Sequence, residues 1–139
     1  MSIFSVLPRL RDPQPSLDAF GHMAERAFEN LPAVFRDLCG DVVVRVQDWP
    51  DGEILDAMSI RSRYGLLGLY HGISIDRCSN YDLPHGPDFV FLYRRPILQY
   101  AIEEGDSVED VVTHVLVHEI GHHFGLTDDD MERIENATD

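Results

Sequence analysis

The chain carries His118-Glu119-Ile120-Gly121-His122, a run of the form H-E-x-x-H. On a helix, residues four apart lie one turn apart on the same face, so the two imidazoles can grip one metal ion. Glu119 stands about 100° around the helix from His118 and about 60° from His122. It can reach a water on the ion without ligating the ion itself. This is the arrangement of a zinc-activated water with a carboxylate base beside it. Catalytic zinc takes three protein ligands and keeps a fourth position open. The next helical turn cannot supply the third ligand without continuing up the same stripe. Gly125 offers a left-handed cap that ends the helix and turns the chain back. Three residues later Asp128 can swing over the ion. Asp129, Asp130 and Glu132 are the competing acids, and a solvated loop or an N-cap is the other role open to Asp128.

The remaining histidines and aromatic residues rank lower. His114 lies one turn before His118, about 40° off the metal-facing line; it reads as an exposed or hydrogen-bonded side chain, with a supporting or substrate-contacting role as the alternative. His123 is about 140° around from His118 and should not reach the same ion. His22 and His85 read as surface residues. His71 could donate a hydrogen bond to a transition state, with Tyr70 and Tyr93 as competitors. Cys39 and Cys78 read as small apolar residues; two cysteines make neither a disulfide framework nor an all-cysteine zinc site.

These groups need elements to position them. Pro8, Pro13 and Pro15 predict an irregular arm over residues 1–15. Ser16 reads as an N-cap, and the spacing of Leu17, Phe20, Met23, Ala24, Ala27, Phe28 and Leu31 predicts an amphipathic helix over 17–30. After Pro32, AVFRDLC predicts a short helix ending at Gly40. DVVVRVQDW, bounded by Gly40 and Pro50-Asp51-Gly52, predicts a strand, while the segment from Glu53 to Arg63 is ambiguous. YGLLGLYHGISI reads as a strand broken by glycines, which mark bulges, an edge or the close approach of another backbone. DRCSNYDLPHGPD predicts a loop, DFVFLYRR a further strand, and PILQYAIEEG a short helix. Ser107 then opens a long helix running to Gly125, with Asp110 in an S-x-x-D start. Apolar residues on nearly every side of it predict burial in the core. There, two histidines and a glutamate would be costly without a partner such as a metal. The acidic tail predicts one or two more helical turns.

On these residues HEIGHHFGLTD resembles the extended H-E-x-x-H-x-x-G-x-x-[H/D] signature of metzincin-type metallopeptidases, in its Asp form. With GLLGLYHGISI and FVFLYRRPIL ahead of it, the chain is similar to a small bacterial zincin-like family of zinc metallopeptidases over roughly residues 17–131. The resemblance implies His118, His122 and Asp128 as ligands of one zinc ion and Glu119 as general base. It also implies an edge strand above the site helix that binds extended peptide by strand addition, with LYHGISI the candidate. The chain departs from the metzincin pattern in its methionine: only Met131 follows, three residues beyond Asp128. Eleven residues follow Asp128, so little is left to build a far wall to the cleft.

Composition narrows the classes. The 139 residues are 44% hydrophobic and 26% charged, enough to bury one core and to argue against disorder. Net charge is −14, which repels nucleic-acid backbones and anionic membranes. No apolar run spans a bilayer, and MSIFSVLPRLRDPQP lacks the order of a signal peptide, so a cytoplasmic location is expected. The expectation is one α+β domain over residues 1–139: a small mixed sheet of about three strands, an N-terminal helix packed on it, and the signature helix beneath. The expected function is a zinc-dependent hydrolase acting on peptide or protein. A metal-binding regulatory or interaction module is the alternative. A metal-dependent ribonuclease is disfavoured by the charge and by Glu119.

Overall fold

In the computed structural model of the protein, residues 14–71 and 88–137 are described. Helix α1, Leu17–Glu29, starts where the Ser16 side chain accepts a hydrogen bond from the Ala19 amide at 3.1 Å. Phe20 and Ala24, one turn apart, carry its buried face. Helix α2, Ala33–Cys39, follows Pro32 and stops at Gly40, whose φ of +63° suits glycine. Strand β1, Val42–Gln47, is shorter at both ends than DVVVRVQDW suggested. The segment left open after it forms helix α3, Gly52–Ala57, followed by turns. Strand β2 is Gly68–His71, so the described part of the glycine-broken strand is four residues long. Its continuation, GISI, and the loop predicted after it lie outside the described residues, as do Cys78, His85 and most of the N-terminal arm.

Strand β3, Asp88–Tyr93, ends two residues before DFVFLYRR does. Arg94 and Arg95 instead begin helix α4, Arg94–Glu104, which places Pro96 in the first turn, where its missing N–H costs nothing. Arg94 explains the early switch. Its guanidinium donates to the Pro15 carbonyl and to Asp48, both at 2.8 Å, tying the start of α1, the end of β1 and the end of β3 together. The sheet has order β1-β3-β2 and is mixed: β1 pairs with β3 in parallel, and β2 pairs with it antiparallel, Tyr70 facing Val90. An edge is thus left on β2.

Helix α5, Val108–His123, lies across this sheet, and helix α6, Asp128–Asn136, runs back along it. One core holds Phe20 of α1, Phe35 of α2, Val90 and Leu92 of β3, Ile97 of α4, Leu116 and Ile120 of α5 and Met131 of α6. The α+β class and the small three-stranded mixed sheet therefore hold as expected. The acidic tail forms a nine-residue helix, longer than one or two turns. Among the described residues, no helix is long and apolar enough to cross a membrane.

Candidate metal centre on the signature helix

Helix α5 begins at Ser107, whose hydroxyl accepts from the Asp110 amide at 3.1 Å. Val111, Val112, Val115, Leu116, Val117 and Ile120 bury most of its circumference. The polar stripe is another matter. His114 and His122 are exposed, while His118 and Glu119 are half-buried. The expectation that His118, Glu119 and His122 are buried in the core is therefore corrected, while His114 is exposed and hydrogen-bonded as its spacing suggested. The sheet and helices α1, α4 and α6 cover the valine and leucine sides, and the histidine side opens to solvent. The open stripe leaves these donor groups reachable from solvent.

The end of α5 follows from Gly125. Its φ is +74°, the Leu126 amide donates to the Gly121 carbonyl at 2.9 Å, and the Gly125 amide to His122 at 3.1 Å. This paired closure is a Schellman motif, and Leu126 folds against the helix end near Gly121. Thr127 then caps α6. Its hydroxyl accepts from the Asp130 amide at 3.1 Å, and its amide donates to the Asp130 carboxylate at 3.2 Å. Asp130 is thereby committed to the cap and to Arg133. Asp128 and Asp129 sit exposed in the same first turn. Met131 belongs to this helix and not to a turn. It is fully buried directly beneath the signature glycine: a Cβ built on Gly121 would lie 2.5 Å from its sulfur.

The rings of His118 and His122 stand edge to face, with centroids 5.7 Å apart. Glu119 points to the sheet, where its carboxylate accepts from the Tyr70 backbone amide of β2 at 3.2 Å. That amide is turned away from β3, so the outer edge of β2 faces the site helix. Burial raises the carboxyl of Glu119 above its usual range, opposed by the Tyr70 amide and by His122. Burial, then His114, lowers His118, against the pull of Glu135. A neutral imidazole is the form that binds metal.

Sequence reasoning did not weigh Glu135. Its two carboxylate oxygens reach His114 Nδ1 at 2.8 Å and His118 Nε2 at 3.3 Å. His114, His118 and Glu135 form a group whose ligand atoms all lie within 4.8 Å of one another; His122 and Asp128 are not in it. The available signal was the ladder His114, His118, His122 at intervals of four, combined with a tail helix long enough to return along it. His123 stacks on Tyr70 at 3.9 Å, away from this group. The Tyr70 hydroxyl donates to Asp88 at 2.6 Å. Tyr93 is fully buried, and its hydroxyl has no hydrogen-bond partner among the described residues. His71 is exposed at the end of β2, and His22 is exposed on α1.

Imidazole nitrogens one turn apart, with carboxylates on the returning helix, are a donor set that suits zinc. A mixed sheet over a helix with that stripe defines a zincin-like protein. A family model described as "Zincin-like metallopeptidase" matches residues 39–138, and the chain belongs to that family. Comparison with curated proteins gave no match.

Proposed function

We propose that the protein is a zinc-dependent peptidase, with His118, His122 and Asp128 holding one ion and Glu119 acting as general base. The observation that carries this reading is the direction of Glu119. It departs from the histidine stripe toward the edge strand, where the Tyr70 amide holds it at 3.2 Å. A carboxylate so placed is fixed beside the ligands without being one of them. Asp128 is favoured over Asp130 because Asp130 is already engaged by Thr127 and Arg133. Zinc, when bound, supplies a Lewis acid that polarises a scissile carbonyl and acidifies a water molecule. Glu119 takes the proton from the attacking water and delivers it to the leaving amine. Its raised affinity for a proton suits both halves of that task. The outer edge of β2, apart from the Tyr70 amide that Glu119 occupies, gives an extended substrate a strand to pair with. A peptide so bound runs beside Glu119.

The test is Glu119→Gln, assayed for bound zinc and for cleavage of a peptide library. Zinc content should stay the same while hydrolysis drops by about 10²–10⁴-fold. Undiminished cleavage, or loss of the metal, overturns the assignment of Glu119. A zinc-loaded wild-type protein that cleaves nothing would point to the interaction-module alternative.

A further inference from the structure

Three histidines climb α5 one turn apart, so two pairs at i, i+4 share the middle residue, His118. The upper pair, His118 and His122, belongs to the signature. Glu135 of α6 closes on the lower pair, with its oxygens 2.8 Å from His114 Nδ1 and 3.3 Å from His118 Nε2. We propose that His114, His118 and Glu135 form a second site for a zinc-like divalent ion, which competes with the peptidase site for His118.

The donors are two imidazole nitrogens and one carboxylate oxygen, a ligand type zinc accepts. Two ligand atoms about 2.1 Å from one tetrahedral ion lie about 3.4 Å apart. The three donor atoms here all fall within 4.8 Å of one another. Seating an ion therefore needs side-chain rotations of about an ångström and no change of backbone. The backbone is already set: the Schellman turn at Gly125 sends α6 back along α5, and two turns later Glu135 arrives beside His114 and His118. The side chains of His114, His118 and Glu135 are 51%, 28% and 24% exposed, which leaves the site open to solvent.

Sharing His118 has a consequence for the site above. His118 turns its Nε2 to Glu135, and one ring nitrogen holds one ion. An ion in the lower site removes a ligand from the upper one. The lower site is thus a holding position in which metal is bound without being set beside Glu119. Wild-type protein should take up one ion per chain through either set, and excess metal should not fill both. The inference goes beyond the peptidase reading, and its test uses metal binding alone.

The experiment starts from the full chain carrying His122→Ala and Asp128→Ala, two exposed positions. Zinc affinity is measured by competition with a chromophoric chelator, and cobalt binding by its visible absorption. One ion should bind per chain. Adding Glu135→Gln or His114→Ala should then weaken binding at least about tenfold, the loss that even outer-shell changes bring to metal sites. The proposal is overturned if the His122→Ala, Asp128→Ala chain binds neither ion, or if Glu135→Gln and His114→Ala leave its affinity unchanged. Should that chain lose its helical circular dichroism, the single variant His122→Ala, which removes the competing upper pair, decides by NMR. Zinc must shift the ring signals of His114, and unshifted signals overturn the site. A wild-type protein that binds zinc and cleaves nothing would defeat the peptidase reading while leaving this one standing.

Discussion

Replacing Gly68 by alanine probes how closely the edge strand is set onto the signature helix. A Cβ built at Gly68 would lie 2.6 Å from a Val115 methyl and 2.9 Å from the Phe91 carbonyl oxygen. Comfortable carbon contacts begin at about 3.5 Å. Neither neighbour can retreat cheaply. Val115 is 7% exposed on a helix, where valine keeps essentially one rotamer. The Phe91 carbonyl is backbone of β3, in the pair with Leu69. The strand must therefore move outward by about half to one ångström. Overpacking of this kind costs about 1–3 kcal/mol. The lost freedom of glycine in the unfolded chain returns about 0.4–1 kcal/mol. The net loss is about 0–2.6 kcal/mol, which for a chain of this size lowers Tm by up to about 9 °C. The same movement stretches the 3.2 Å bond from the Tyr70 amide to Glu119, so peptide hydrolysis should fall as well. Thermal unfolding followed by circular dichroism measures the first effect. Gly52→Ala serves as control, since nothing lies within 4 Å of its built Cβ. A Gly68→Ala protein melting clearly above wild type would refute the close approach of β2 to α5.

Tyr93→Phe should leave stability unchanged or raise it by up to about 1 kcal/mol in urea unfolding, because it removes a buried hydroxyl without a partner among the described residues. Burial also pushes that phenol up to about 12, so no charge is lost at neutral pH. A clear loss of stability would mean the hydroxyl is bonded. Zinc at about a hundred times its Kd should raise unfolding free energy by about 2.7 kcal/mol. Coincident melting curves for zinc-loaded and verified metal-free protein would argue against binding by the folded state. In a His114→Ala background, which leaves only the signature site to read, Asp128→Ala should weaken zinc far more than Asp129→Ala or Asp130→Ala. If Asp129, Asp130 or Glu132 shows the large loss instead, Asp128 is not the third ligand.

Local features were legible because local forces set them. Ser16 and Ser107 cap their helices through their own hydroxyls, and Gly125 turns the chain by a backbone conformation that other residues rarely adopt. The spacing of H-E-x-x-H already put Glu119 off the line of His118 and His122. Gly68 in a strand pattern left a bulge, an edge or a close approach open, and Val115 and Phe91 show the close approach. Boundaries were less legible where a distant partner decided them. Arg94 and Arg95 look like strand residues in sequence, but Arg94 is held by Pro15 and Asp48, and the chain turns into helix there. The apolar content of α5 told how much of the helix is covered but not which side stays open, because that depends on where the sheet and α6 pack. Nothing local paired Glu135 with His114 and His118. Their meeting across seventeen or more residues follows from the angle at which α6 returns along α5, which packing of Met131 under Gly121 sets and no periodicity records.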